Sequence, residues 1–321
     1  MKKGTQLVTF PKKVLIHEVG PREGFQFEEQ ILPTYLKASF IESLAQTGLQ
    51  DIEVASFVRP DRVPQMADAE ALVASLRTFP GVNYTGTYLN MRGLQRATLT
   101  GKLHIKHGLT VAASDTFSQK NQNSTIDESL QQLRTRAEYF SQNQISSVSI
   151  GVATAFGCNY EGDVALTKVV DLLKILEEIA LSNHLRVSQV RLLDTMGWAT
   201  PKLIRQTIEA VQQLWPKIAI SLHLHDTRGL GMVNAYEALA LGVSDFDTSI
   251  AGMGGCPFAG HKGAAGNVAT EDFVLLCHEL GIETGIDLDA LIKCALAAED
   301  MVGHPLPGKV RLSGSLSSLR K

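Results

Sequence analysis

The chain has 321 residues, of which 44% are hydrophobic, so it is long enough to bury one large core or two smaller ones. Its 30 Lys and Arg residues against 33 Asp and Glu give a net charge of -3, which argues against a general nucleic-acid binder, because such proteins need a basic face. No apolar run approaches the roughly 20 residues that span a bilayer, so we expect no membrane partner.

The cysteines and the N-terminal residues predict the compartment. The first ten residues lack the apolar segment of a signal peptide. The four cysteines are widely spaced and form no Cys-x-x-Cys pair, which argues against a disulfide framework and against structural zinc. They are Cys158, Cys256, Cys277 and Cys294. We therefore expect a reducing, cytoplasmic location.

Short β-rich runs alternate with longer helical patterns along most of the chain. The predicted strands cover residues 14–19, 51–55, 84–89, 103–111, 146–152, 187–193, 218–224 and 246–250. The predicted helices lie around residues 36–44 and over 66–77, 126–142, 164–180 and 269–280, with others after Asn90 and from Pro201. Eight strand-and-helix units predict an α/β fold of the TIM (β/α)₈ barrel type.

A doubly wound sheet also alternates strands with helices, but it normally has fewer strands. We assign residues 1–285 to the barrel. Residues 286–321 are assigned to an appended C-terminal helix, over 288–301, and a tail rich in Gly, Ser and Pro.

Polar residues gather where the predicted strands end, which is the catalytic face of such a barrel. His223 and His225 are the strongest signal, because a His-x-His on a strand puts both rings on one face, where they can share a metal ion. The alternative is that the two histidines are hydrogen-bonded at the strand end and bind no metal. Glu23 could add a carboxylate ligand, and Arg22 beside it could stabilise negative charge. Without a functional role, Glu23 would be a solvated loop charge and Arg22 part of an ordinary ion pair.

Three further positions belong to the same predicted face. Glu53 lies on the second strand, and the sixth strand ends at Asp194. Cys256 lies in the glycine-rich loop of residues 252–257, which does not have the spacing of a dinucleotide-binding fingerprint. A thiol on a loop that closes could act as an acid, a base or a nucleophile, whereas a buried inert cysteine is the alternative.

The motifs together resemble the 3-hydroxy-3-methylglutaryl-CoA (HMG-CoA) lyase family of the DRE-TIM metallolyase superfamily. They occur in family order over about residues 13–285, and the Gly-Gly-Cys-Pro loop marks the lyase branch. The matching stretches are 18–26, 52–58, 63–66, 157–162, 194–197, 223–227, 252–258 and 266–272.

The resemblance implies a barrel that binds one divalent cation, Mg²⁺ or Mn²⁺, and an acyl-CoA substrate. It maps the metal ligands to Glu23, His223, His225 and Asn267. It maps the catalytic arginine to Arg22, supporting acidic residues to Glu53 and Asp194, and the catalytic loop cysteine to Cys256. We also expect a homo-oligomer.

Two departures from the family pattern bear on the substrate. The family usually has Asp where this chain has Glu23, and the extra methylene moves the carboxylate outward by about 1.5 Å. The loop of residues 259–266 is about two residues longer than usual and adds His261 and Lys262.

The implied reaction is a retro-Claisen cleavage of a 3-hydroxyacyl-CoA to acetyl-CoA and a keto acid such as acetoacetate. His223 or a metal-linked partner would accept the hydroxyl proton, and Cys256 would protonate the enolate. The alternatives are a lyase for another substrate such as citramalyl-CoA, an acyl-CoA condensing synthase, and a non-catalytic barrel that binds acyl-CoA. Synthases usually carry a long C-terminal regulatory region, and only about 35 residues follow the barrel here.

Overall fold

The computed structural model describes residues 9–255, 266–317 and 319–320. Its strands are parallel throughout, and the first strand pairs with both the second and the last. The strands are β1 (Leu15–Glu18), β2 (Asp51–Ser56), β3 (Asn83–Thr87), β4 (Gly108–Ala112), β5 (Ser147–Ala153), β6 (Arg186–Leu193), β7 (Ala219–His223) and β8 (Asp245–Thr248). This pairing of first with last strand confirms the (β/α)₈ barrel and excludes a doubly wound sheet.

The ladder runs in the order β3-β2-β1-β8-β7-β6-β5-β4, so β3 and β4 are its two ends. The segment that leads into β4 bridges them, because the His104 amide donates to the Tyr84 carbonyl over 2.8 Å and the Tyr88 hydroxyl donates to the Lys106 carbonyl. The prediction of a strand over residues 103–111 was therefore too long at its start. Leu103 and Ile105 pack against the core, but their segment forms no continuous ladder.

Helices follow the strands, and their apolar faces pack on the outside of the sheet. Several helices begin at side-chain caps, such as the capping box of Thr125 with Glu128. The helices of at least four residues are Thr34–Ala45, Ala69–Ser75, Met91–Leu99, Asp115–Gln122, Ile126–Gln142, Leu166–Ser182, Pro201–Leu214, Gly231–Ala240, Thr270–Glu279, Leu288–Val302 and Val310–Ser313. None of the helices among the described residues has the length and apolar character that a bilayer crossing needs.

The C-terminal segment packs on the barrel. Asp287 caps the helix Leu288–Val302, and its backbone amide donates to the Thr47 carbonyl over 2.8 Å. Farther on, the Gly308 amide donates to the Ala251 carbonyl, and the Asp272 carboxylate accepts the amide of Val310. These bonds hold the segment beside the loop that follows β8. The division at residue 285 stays a prediction.

Glu18 fixes the catalytic end of the barrel. It is fully buried at the end of β1, and its carboxylate accepts the amides of Gly20 and Ile250 over 2.7 and 2.9 Å and the hydroxyl of Thr270. One side chain thus joins the loop after β1, the loop after β8 and the start of the last barrel helix. Buried donors need such partners, because an unpaired one costs about 1–3 kcal/mol.

Candidate active site

The loop after β1 carries Arg22 and Glu23 into the mouth of the barrel. The chain forms a π-helical turn over Gly20–Gly24, with Pro21 in its first turn, where a missing amide hydrogen costs little. The amides of Arg22 and Glu23 both donate to the Val19 carbonyl, over 3.1 and 2.7 Å. Turns of this type often occur at functional sites because they redirect a side chain within a short stretch.

His223 and His225 lie at the end of β7 and point to the same side, with ring centroids 5.1 Å apart. Each Nε2 atom faces Glu23 Oε1, at 3.6 Å from His223 and 3.4 Å from His225. Among the described residues, one possible ligand atom from each of these three side chains lies within 4.8 Å of the others. The strand alternation that predicted a shared face therefore places both rings against one carboxylate.

Asn267 joins the cluster from the other side of the loop after β8. Its Nδ2 atom donates to Glu23 Oε1 over 3.1 Å and to the Met253 carbonyl over 3.0 Å. Its Oδ1 atom is buried and has no hydrogen-bond partner within the described part of the chain. Gly266 just before it must lack a side chain, because a Cβ there would lie 1.7 Å from the Gly254 carbonyl oxygen.

The donor set fits a divalent cation. Two imidazole nitrogens, a carboxylate oxygen and a buried amide oxygen without a partner are ligands that suit Mg²⁺, Mn²⁺ or Zn²⁺. The buried Asn267 oxygen has no partner among the described residues, which leaves it available to a ligand, because a buried polar atom normally has a partner. The structure thus brings together the four residues that the sequence proposed as ligands, Glu23, His223, His225 and Asn267.

Arg22 is held between two carboxylates. Its Nη2 atom lies 3.0 Å from Glu23 Oε2, and its Nε atom donates to Glu53, which also accepts the Thr87 hydroxyl over 2.8 Å. Burial alone would lower the pKa of Arg22, but Glu53 and Glu23 outweigh burial and raise it. The guanidinium therefore stays charged and fixed in place at the edge of the ligand cluster.

The electrostatics of the cluster are strongly coupled. Burial alone would raise the pKa of Glu23, but the charges of His223 and Arg22 hold it well below its usual range. Burial alone would lower the pKa of His223, but Glu23 and Asp247 outweigh it and raise that pKa to about 10. An anionic carboxylate therefore faces the space that a cation would occupy.

No sequence motif marks Asp247 or Arg191 as a site residue. Asp247 Oδ2 lies 3.1 Å from His223 Nδ1 and accepts a hydrogen bond from Arg191 Nη2 over 2.8 Å. Because Nδ1 donates to Asp247, Nε2 is left to face Glu23. The sequence does carry one indication. Asp245 and Asp247 lie two residues apart on β8, so their side chains share one face of the strand, which is the barrel interior.

Replacing Asp247 with asparagine is expected to weaken metal affinity by about 10- to 100-fold, because His223 loses the carboxylate that orients its ring. The effect is to be measured as the dissociation constant for Mn²⁺ by calorimetry. Asp245→Asn is the matched control, because Asp245 contacts His17 and Gln189 and none of the four proposed ligands. Equal Mn²⁺ affinities in all three proteins would contradict the assigned role of Asp247.

The side chain of Asp194 bonds to the turn that follows β6. One Asp194 oxygen accepts the amides of Trp198 and Ala199 over 2.7 and 3.0 Å, and the other is buried without a partner among the described residues. Burial raises the pKa of this carboxyl. Its side-chain bonds fix the turn after β6, and its backbone amide donates to the His223 carbonyl over 2.8 Å. Cys256, His261 and Lys262 lie outside the described residues.

Comparison with known proteins identifies relatives along nearly the whole chain. Residues 13–297 match the family described as HMGL-like. The chain is 41% identical over 287 residues to the mitochondrial hydroxymethylglutaryl-CoA lyase of Mus musculus, covering 89% of this chain and 84% of that protein. It is 38% identical to the cytoplasmic 3-hydroxy-3-methylglutaryl-CoA lyase of Rattus norvegicus, covering 91% and 82%.

Solved structures agree with this match. The HMG-CoA lyase of Bacillus subtilis superposes with a TM-score of 0.86 at 36% identity, covering 95% of this chain and 98% of that one. An HMG-CoA lyase from Acinetobacter baumannii, solved with coenzyme A and 3-methylmalate, has a TM-score of 0.86 at 32% identity, covering 98% and 99%. With its family match, its identity to these relatives and its ligand cluster at the barrel mouth, the chain belongs to the HMGL-like family.

Proposed function

We propose that the protein is a metal-dependent carbon–carbon lyase that cleaves HMG-CoA, or a close analogue, into acetyl-CoA and a keto acid. The observation that carries this proposal is the convergence of Glu23, His223, His225 and Asn267 beside the half-buried guanidinium of Arg22. The names of relatives that are 38–41% identical support the substrate class.

The reaction makes defined demands on the site. The bond between C2 and C3 breaks, the C3 hydroxyl loses its proton and becomes a ketone, and the electron pair passes to C2 as a thioester enolate. Glu23, His223, His225 and Asn267 would hold a divalent cation, which would polarise the hydroxyl and lower its pKa. The negative charge that develops on oxygen must also be stabilised. The fixed guanidinium of Arg22 can do this.

His223 was predicted both as a ligand and as the base. Its Nδ1 atom donates to Asp247, so Nε2 is the atom that faces the cluster. One nitrogen cannot hold a cation and accept a proton at the same time, because both use the same lone pair. We therefore assign the ligand role to His223, and the hydroxyl proton passes to a base that is not one of the four proposed ligands.

Glu23 gives a test of how closely the site is fitted to its substrate. Glu23→Asp is expected to keep metal binding but to lower kcat/KM on the native substrate by up to about 100-fold, because its carboxylate retreats by about 1.5 Å from both histidines. Glu23→Ala should lose metal affinity and activity together. If both variants match the wild type in Mn²⁺ binding and turnover, Glu23 is not a ligand.

Cys256 is proposed as the acid that protonates the enolate. Cys256→Ser is expected to lower kcat far more than it raises KM, because proton transfer acts on the transition state and not on ground-state binding. Steady-state kinetics with Cys158→Ser as the control measures the split. Cys158 is buried and comes from the loop after β5. An unchanged kcat in Cys256→Ser would remove this thiol from the mechanism.

The substrate itself is tested with a panel of 3-hydroxyacyl-CoA thioesters. HMG-CoA, citramalyl-CoA and longer 3-hydroxyacyl analogues are incubated with Mg²⁺ or Mn²⁺, and acetyl-CoA release is followed by chromatography. We expect the highest kcat/KM on HMG-CoA or a close 3-substituted analogue. Turnover of citramalyl-CoA alone would identify a different lyase. Condensation of acetyl-CoA with a keto acid, without measurable cleavage, would identify a synthase.

A further inference from the structure

A cavity of about 370 Å³ extends from the ligand cluster into the barrel and toward its β3–β4 side. Arg22, Glu23 and both histidines line one end. The other end is lined by Tyr88 and Leu89 after β3, by β4, and by the inner face of the helix Ile126–Gln142. The helix contributes Ser129, Gln132, Leu133 and Arg136. The cavity thus has space well beyond the four proposed ligands.

Most cationic side chains that line this cavity are paired with carboxylates. Arg22 contacts Glu23 and Glu53, Lys106 lies 2.7 Å from Asp51, and Arg191 lies 2.8 Å from Asp247. Arg136 differs, because none of the described carboxylates lies within 4.0 Å of its guanidinium.

Arg136 is nonetheless buried, with 8% of the residue exposed. Its Nη2 atom donates to the Leu89 carbonyl, and its guanidinium carbon lies 5.7 Å from the centre of the Tyr88 ring. Its Nε atom is buried and has no hydrogen-bond partner in the described ranges. Burial lowers the pKa of Arg136, since no carboxylate offsets the loss of water. Buried charges are normally paired with an opposite charge, and the buried guanidinium of Arg136 has no such partner among the described carboxylates.

We propose that Arg136 binds a carboxylate at the far end of the substrate's acyl chain, so that the cavity selects dicarboxylyl-CoA thioesters by length and terminal charge. The inference rests on the proposed acyl-CoA lyase function and extends it. The reacting end of the acyl chain lies beside Arg22. The free carboxylate at the other end of the chain binds the planar guanidinium of Arg136 at the β3–β4 side.

The volume of the cavity favours the acyl carboxylate over a phosphate of CoA. At about 370 Å³ the cavity is near the lower end of small-ligand pockets, which run from about 300 to 1,000 Å³. That space holds an acyl chain inside the barrel and leaves the nucleotide outside. Both anions offer the same oxygen chemistry to a guanidinium, so the experiment must separate them.

The test measures binding of thioesters that lack the 3-hydroxyl and are not cleaved. Dissociation constants for glutaryl-, adipyl- and pimelyl-CoA, and for their terminal methyl esters, are obtained by calorimetry with Mg²⁺ present. For the chain length that the wild type binds most tightly, Arg136→Gln should weaken binding of the acid by about 10- to 100-fold and leave the ester unchanged. Arg136→Lys should restore part of the loss, because it keeps the charge without the fork.

Arg134→Gln is the matched control, since Arg134 is exposed on the same helix and the change removes the same charge. Unchanged ester binding by Arg136→Gln shows that this variant is folded. An equal loss for acids and esters would place Arg136 on the CoA portion or in a structural role and overturn the inference. The inference would also be overturned if the wild-type protein bound the acids and the esters equally tightly. In that case, HMG-CoA cleavage would still support the proposed function. A wild type that neither binds these thioesters nor cleaves HMG-CoA would refute both.

Discussion

Replacing Arg22 with glutamine is expected to lower kcat by about 100- to 1,000-fold while changing KM little. The guanidinium is fixed by Glu23 and Glu53 before substrate arrives, so it stabilises developing charge without reorganising. Glutamine keeps a hydrogen-bond donor but removes the charge. Steady-state kinetics on HMG-CoA with saturating Mg²⁺ measures the effect.

Arg59→Gln serves as the control for the loss of one positive charge, because Arg59 is an exposed residue paired with Asp61. It should retain wild-type kcat. A variant Arg22→Gln with normal kcat and raised KM would show that Arg22 contributes to substrate binding alone. Normal values of both constants would remove Arg22 from the mechanism.

Replacing His223 and His225 together with alanine is expected to weaken Mn²⁺ binding by more than about 100-fold, because the loss of an outer partner alone costs about 10- to 100-fold. The two rings supply both nitrogen ligands of the cluster. Electron paramagnetic resonance of added Mn²⁺ reports free and bound ion without any need for turnover.

His104→Ala provides the comparison for this pair, since His104 is exposed and distant in sequence from the cluster. It should bind Mn²⁺ as the wild type does. If the double variant also binds Mn²⁺ with wild-type affinity, the ion is held elsewhere and the ligand assignment is wrong.

The fold was predictable wherever local signals agreed with the packing. The helix Ile126–Gln142 has an amphipathic pattern and a capping box, and its predicted and observed bounds coincide. The helix Asp115–Gln122 was missed because its sequence is almost wholly polar, and only the Ser114 cap marks its start. Residues 103–107 were predicted as part of a strand because the apolar residues Leu103 and Ile105 alternate with polar ones. In the structure, few backbone hydrogen bonds join this segment to β3.

The candidate site was predictable in the residues that sequence motifs mark, and less so in those that depend on packing. His223 and His225 share a face by strand alternation alone, Glu23 was proposed from its place after the first strand, and the resemblance supplied Asn267. Arg191 and Arg136 follow no motif, because their importance comes from what surrounds them. Arg191 contacts Asp247, which comes from another strand, and Arg136 stands out only because its surroundings lack a carboxylate.

We predict that this barrel performs a metal-dependent carbon–carbon cleavage. The most direct measurement is mass spectrometry of the products formed from HMG-CoA by purified protein, first stripped of metal and then supplied with Mg²⁺ or Mn²⁺. We predict equimolar acetyl-CoA and acetoacetate with added metal, and neither product in the stripped protein or in the variant lacking both His223 and His225. Equal product formation with and without metal would show that the cleavage needs no cation. Free CoA released by thioester hydrolysis in place of acetyl-CoA would show that the protein is not a carbon–carbon lyase.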